Sequence, residues 1–197
     1  MINKKIKESF LEGQKILKNF IDNDNNFIMI ESVCKKIVQS LESGGKVIIC
    51  GNGGSMSDAT HFAEEFSGRF RSDRAAMAAM AISDPSHITC VANDFGFDYI
   101  FSRGVEAFGR EGDIFIGLST SGNSPNIIKG FEKAESMGLE TVLFLGKDGG
   151  KLKGRSRFQF IIDGKTSDRI QEIHMFILHT IVEGVERIKF PKNYNCQ

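Results

Sequence analysis

The stretch Lys46–Gly68, KVIICGNGGSMSDATHFAEEFSG, predicts a strand, a glycine-rich turn and a helix in direct succession. The apolar run Val47–Ile49 is typical of a strand that is buried on both faces. The turn Gly51–Gly54 contains adjacent glycines, which tolerate positive φ and let a ligand approach the backbone. Ser55 or Ser57 can cap the helix that follows. The first N–H groups of that helix then favour an anion above the turn.

The same helix carries a pair of side chains suited to chemistry. His61 and Glu65 are four residues apart and therefore share one face. An anion-binding turn beside this pair predicts an active site. The same sequence is also compatible with a plain tight turn followed by a surface His–Glu pair that has no catalytic role. The turn matches neither the Walker A pattern nor GxGxxG, so those routes to nucleotide binding have no support.

Composition narrows the class of protein. The chain has 197 residues, enough for one domain with a substantial core. Its 25 basic and 25 acidic residues balance, and no apolar run approaches the ~20 residues of a membrane span. We therefore expect no nucleic-acid partner, no membrane partner and no signal peptide. The four cysteines form no CxxC pair, so buried free thiols in the cytoplasm are expected.

The rest of the chain alternates helices and strands. Two amphipathic helices, at about 3–21 and 27–41, form a helical hairpin in residues 1–43 and carry more apolar surface than one sheet face needs. The α/β core, residues 44–190, should form a three-layer sandwich around a central parallel five-stranded sheet. We treat 1–197 as a single domain whose tail, 191–197, is frayed. The further strands are expected at 78–82, 113–119, 140–145 and 158–162. The charged segment 69–74 is expected to be exposed, and residues 93–96 are expected to form a loop.

A second polar loop, STSGNS, leaves the third strand. Ser119, Thr120, Ser121 and Ser124 supply four hydroxyls in six residues, and the next helix adds backbone N–H donors. A helix cap needs only one hydroxyl, so the loop predicts a phosphate site. Ligands of parallel sheets bind beyond the carboxyl ends of the strands, where both polar loops should meet.

The last helix, at about 167–189, carries Gln171, His174 and His179 among apolar residues. Gln171 and His174 are three residues apart and share a face. His179 lies eight residues after Gln171, about 12 Å along the axis and ~80° around it. Spacing alone therefore pairs Gln171 with His174.

Several motifs together resemble those of the phosphoheptose isomerases, enzymes with the sugar isomerase (SIS) fold. The similarity runs from about residue 46 to 180. The motifs that carry it, in chain order, are GNGGS, DATHFAEE, AISDPSHI, CVANDFGFD, IFSR, GREGD, STSGN, GKDGG and DRIQEIH.

The resemblance implies a cytosolic homotetramer that interconverts sedoheptulose 7-phosphate and D-glycero-D-manno-heptose 7-phosphate, the first step towards the heptose of lipopolysaccharide or capsule. It implies Zn in the site, a catalytic base and a catalytic acid, and it selects His179 over His174. The implied metal ligands are His61, Glu65, Gln171 and His179. The implied base and acid are Glu65 and His179. The implied substrate contacts are Asn52, Gly53, Gly54, Ser55, Glu65, Asn93, Asp94, Ser119, Thr120, Ser121, Ser124 and Gln171.

Two alternatives remain open from the sequence. A non-catalytic SIS protein could bind a sugar phosphate or a protein partner, although retention of Glu65 and His179 argues against it. An isomerase of the same fold could act on a pentose or hexose phosphate. The role of Glu65 is also open, because a carboxylate bound to Zn is a poorer base than a free one.

Overall fold

The predicted first strand is β1, Val47–Gly51, and it lies inside a parallel sheet. The computed structural model describes residues 1–194. The other strands are β2, Ala79–Ala81; β3, Ile114–Ser119; β4, Glu140–Gly146; and β5, Phe158–Ile162. Their order is β2-β1-β3-β4-β5, and every neighbouring pair is parallel, as predicted.

Among residues 1–194, seven α-helices cover the two faces of this sheet. They are α1, Ile2–Ile21; α2, Asp24–Glu42; α3, Gly54–Ser67; α4, Pro85–Asp94; α5, Ile100–Phe108; α6, Pro125–Ser136; and α7, Ser167–Lys189. Successive strand residues face opposite sides, so Val47 and Ile49 pack with α1, α2, α3 and α7. Ile48 and Cys50 pack with α4, α5 and α6. The three-layer sandwich with its helical hairpin is therefore confirmed.

The two polar loops meet at the carboxyl edge of the sheet, as predicted. Gly51 at the end of β1 is in register with Leu118 on β3. Directly beyond this point, the amides of Asn52 and Asn126 exchange two hydrogen bonds of 2.9 and 2.8 Å. The two loops therefore form one polar surface.

Some predicted boundaries and caps are wrong. The cap of α3 is Gly53 with φ 56°, so neither serine caps this helix, and Ser55 is buried inside its first turn. Asn93 and Asp94 were expected in a loop, but they end α4, which continues until Gly96 turns the chain with φ 98°. Asp84 accepts a hydrogen bond from the His87 N–H and fixes the start of α4.

Burial also differs from the expectation at three places. Arg74, in a segment predicted to be exposed, has a side chain only 1% exposed. Cys34 and Cys50 are buried free thiols, but the free thiol of Cys90 is exposed. Residues 191–193 form a helical turn and Tyr194 is buried, so this part of the tail is not frayed. Cys196 and the end of the predicted tail lie outside the described residues.

A helix that spans a membrane must be both long and apolar. Across residues 1–194, no helix meets both requirements.

Candidate active site

The hydroxyls of the STSGNS loop lie close together. The Oγ atoms of Ser119 and Ser124 are 3.1 Å apart, and Thr120 Oγ1 is 3.0 Å from the Oγ of Ser167 at the start of α7. Ser121 Oγ accepts the backbone N–H of Asn123 at 3.2 Å. The loop thus gathers hydroxyls beside the N-terminus of α6, an arrangement that can bind a phosphate group.

Contacts from the loop after β4 hold STSGNS in place. Gly122 has φ 63°, and a Cβ added there would lie 1.9 Å from the carbonyl oxygen of Gly149. The Leu152 N–H donates to the Gly122 carbonyl at 3.2 Å. The Lys151 N–H donates to Asn123 Oδ1 at 3.1 Å. Only glycine fits at Gly122, because it has both the positive φ and the close backbone neighbour.

The glycine turn after β1 packs against α7. A Cβ on Gly54 would lie 2.6 Å from Gln171 Oε1, so a larger residue there would displace the end of the Gln171 side chain. Gln171 Nε2 donates to Ser55 Oγ at 3.1 Å. The structure therefore places Gln171 beside the predicted substrate turn.

His61, Glu65 and His179 come together from two helices. Each contributes one ligand atom, and these atoms all lie within 4.8 Å of one another. His61 Nε2 is 3.3 Å from Glu65 Oε1, and the two imidazole rings meet edge to face at 5.0 Å. Two imidazoles and one carboxylate form a donor set that suits a divalent metal ion with an open coordination position. The cluster can therefore hold a metal ion.

The surroundings of His179 favour its neutral form. Burial lowers the pKa of His179, and the charge of His61 lowers it further, while Glu65 and Glu64 act in the opposite direction. Phe70 stacks on the His179 ring at 5.9 Å between ring centroids. A neutral imidazole offers one nitrogen as acceptor or ligand and the other as an N–H donor.

Asp58 belongs to this region but was missed from the sequence. Its Oδ2 is buried without a hydrogen-bond partner among residues 1–194. Burial raises the pKa of Asp58 to about 6, and the charge of His61 opposes that shift. Asp58 lies three residues before His61 and seven before Glu65, so helical spacing already places it on the face that carries them.

His174 is turned away from the site. It is fully buried, and its Nε2 lies 2.9 Å from the Leu145 carbonyl oxygen. The pairing of Gln171 with His174 from spacing is therefore wrong, because His174 faces the sheet whereas α3 meets α7 at Gln171 and His179. Burial lowers the pKa of His174 to about 4.

Stability should fall in acid because of His174. The unfolded chain takes up a proton below its ordinary pKa of about 6.5, whereas the folded chain resists protonation down to about 4. Between pH 6.5 and 5 this difference removes about 2 kcal/mol of the free energy of unfolding. Urea unfolding of the native protein and of His174→Gln at pH 7 and pH 5 measures the effect. A pH dependence that is the same in both proteins would contradict it.

Two predicted substrate contacts lie at an exposed helix end. Asn93 and Asp94 are exposed at the end of α4, and Asn93 Nδ2 donates to Asp94 Oδ1 at 2.7 Å. Among residues 1–194, neither side chain forms a hydrogen bond with the two polar loops. Their contact with a sugar stays a prediction.

Comparison with known proteins identifies the protein family to which this fold and site belong. A family model described as the SIS domain matches residues 10–146, so the chain is a SIS-domain protein. Phosphoheptose isomerases from Fusobacterium nucleatum and Vibrio vulnificus are 63% and 49% identical to it, over 91% and 92% of this chain and 93% and 96% of theirs. A solved phosphoheptose isomerase structure from Neisseria gonorrhoeae, 31% identical, has a TM-score of 0.88 and covers 94% of this chain and 99% of its own. The chain belongs to the phosphoheptose isomerase family.

Proposed function

We propose that this protein converts sedoheptulose 7-phosphate to D-glycero-D-manno-heptose 7-phosphate through a cis-enediol. The observation that carries the proposal is the meeting of His61, Glu65 and His179 from two helices that also flank the glycine turn. Relatives that share most of the chain are named phosphoheptose isomerases. We further propose a single domain over 1–197 that acts in the cytoplasm, where sugar phosphates are metabolised.

The phosphate would bind the STSGNS loop without a cation from that loop. The hydroxyls of Ser119, Thr120, Ser121 and Ser124 and the first N–H groups of α6 are the donors. Asn52, Gly53, Gly54, Ser55, Asn93, Asp94 and Gln171 would contact the sugar. Anchoring the far end of the substrate orients its reacting carbons near Glu65 and His179.

Isomerisation needs a proton to move between two carbons. Glu65 takes the proton from C1 of the ketose, while O2 is protonated, and the cis-enediol forms. Returning the proton to C2 and removing that of O1 gives the aldose. An N–H of the His179 imidazole serves these oxygens as the acid. The Glu65 side chain is mostly covered, but the 13% that stays exposed leaves it open to a substrate carbon.

We propose Zn²⁺ as the metal of this site. His61, Glu65 and His179 provide the imidazole and carboxylate ligands that Zn²⁺ prefers, and Gln171 is the proposed fourth ligand. When bound, Zn²⁺ would stabilise negative charge on the enediolate oxygens.

Incubation with a panel of pentose, hexose and heptose ketose phosphates tests the function. We expect aldose formation from sedoheptulose 7-phosphate at a kcat/KM well above that for shorter ketoses. A stronger preference for a pentose or hexose phosphate would replace the proposed substrate. No turnover of any member would favour a non-catalytic SIS protein.

The helical hairpin predicts assembly. Phe10 and Ile28 are 77% and 62% exposed, and Ile6 and Leu11 add to the apolar surface of this hairpin. Such surface is normally buried between subunits, so we expect the chains to assemble, and the resemblance to phosphoheptose isomerases implies a homotetramer. Sedimentation velocity at micromolar concentration measures it, and a monomer there would contradict the expectation.

A further inference from the structure

The segment Gly68–Ala75, here called the strap, follows α3 and runs along the face of α7 that carries His179. Phe70 stacks on His179, and Arg71 Nη2 lies 2.8 Å from Glu183 Oε2. Arg74 Nε donates to Glu186 Oε1 at 2.7 Å. Residues 179, 183 and 186 are spaced by four and three, so they share one face of the helix. The strap therefore joins the carboxyl end of α3 to the half of α7 that begins at His179.

Arg74 connects this strap to the backbone of Glu65. Its guanidinium donates Nη2–H to the Glu65 carbonyl and Nη1–H to the carbonyls of Phe66 and Gly68, the latter two at 2.8 Å. The Glu65 and Phe66 carbonyls are in the last turn of α3 and Gly68 is its C-terminal cap, where the helix has no backbone donors left for them. Outside the helix, the Phe66 carbonyl also accepts the Met77 N–H at 3.0 Å. A cation at a helix C-terminus is also favoured by the helix dipole. One side chain thus holds the turn that carries Glu65.

Glu186, the ion-pair partner of Arg74, is held in place by Tyr194, which follows α7. Glu186 Oε2 accepts the Tyr194 O–H at 2.6 Å, and Arg187 lies over the Tyr194 ring at 4.4 Å. The Arg74 and Glu186 side chains are each 1% exposed. The position of the guanidinium is therefore set by the core rather than by solvent.

We propose that Arg74 is a positioning residue that sets the separation between Glu65 on α3 and His179 on α7. The inference rests on the proposed isomerase function and its metal cluster. Lysine cannot replace Arg74, because an ammonium group lacks the planar fork that reaches Glu186 and the α3 carbonyls together.

Arg74→Lys tests the proposal with three measurements: kcat, KM and Zn²⁺ affinity, the last by competition with a chromophoric chelator. Loss of a residue that orients metal ligands typically lowers affinity or activity 10–100-fold, so we expect decreases of about 10–100-fold in kcat and in Zn²⁺ affinity. KM should stay within about threefold, because the phosphate loop lies on β3 and α6. Arg155→Lys, at an exposed ion pair with Glu132, is the matched control and should behave as wild type.

Wild-type kcat and Zn²⁺ affinity in Arg74→Lys would overturn the proposal, and so would a rise in KM alone. If Arg74→Lys does not fold, Tyr194→Phe decides, since it removes only the hydroxyl that fixes Glu186. It should lower Zn²⁺ affinity by less than the roughly 10–100-fold that is typical of a residue orienting the metal ligands directly, and wild-type affinity would overturn the proposal. If the wild type isomerises no heptose phosphate, the proposed function fails, while the Zn²⁺ affinities still decide the role of Arg74.

Discussion

Glu65→Gln is expected to lower kcat by about 10²–10⁴-fold, the usual contribution of general acid–base catalysis. Glutamine keeps the shape of the side chain and its hydrogen bonding but removes the basic oxygen. Glu65 Oε1 lies 3.3 Å from His61 Nε2, within a cluster whose ligand atoms are at most 4.8 Å apart, so the substitution changes chemistry at the centre of the site. Steady-state isomerisation of sedoheptulose 7-phosphate measures it, and calorimetry should show that the variant still binds this substrate.

His179→Gln should reduce kcat by a similar factor, because His179 is the other half of the acid–base pair. His174→Gln is the matched control on the same helix and should retain most of its activity, since His174 faces the Leu145 carbonyl in the core. Activity in His179→Gln together with inactivity in a folded His174→Gln would reverse the assignment of the two histidines.

The double substitution Ser119→Ala and Ser121→Ala should raise KM by about 10²–10⁴-fold. Each lost hydroxyl removes a hydrogen bond to a charged acceptor, worth about 1.5–3 kcal/mol. Ser119 Oγ lies 3.1 Å from Ser124 Oγ, so its loss also leaves that hydroxyl without its neighbour. Initial-rate kinetics across substrate concentration provide the test.

Ser136→Ala is the control for this experiment. Its exposed hydroxyl donates to the Lys133 carbonyl at 2.7 Å near the far end of α6. It should leave KM unchanged. A double variant whose KM equals that of Ser136→Ala would show that the STSGNS loop serves only to begin the helix.

The architecture could be predicted because it depends on local pattern. Apolar runs such as Val47–Ile49, separated by glycine turns and amphipathic helices, are compatible with few folds other than a covered parallel sheet. The meeting of the two polar loops followed from the same rule, since parallel strands end at one edge. The residues of the proposed phosphate loop could be singled out for a related reason, because they are consecutive in sequence.

The parts that could not be predicted depend on partners distant in sequence. Residue spacing within α7 says nothing about which residues α3 will meet, so it favoured His174 although His179 joins the cluster. Arg74 was expected to be exposed because its neighbours are charged, yet its partner Glu186 lies 112 residues away. A buried ion pair of this kind leaves no local signal in the sequence.

The close approach of Gly122 to the Gly149 carbonyl means that the STSGNS loop loses its conformational entropy during folding rather than on ligand binding. A free loop of this length would lose it on binding, at roughly 1–2 kcal/mol for each residue that becomes ordered. Here the loop after β4 already orders the STSGNS loop when the chain folds, so the entropy is lost before any ligand binds. At the proposed phosphate site, binding energy would then be available for holding the sugar carbons in place rather than for ordering the loop.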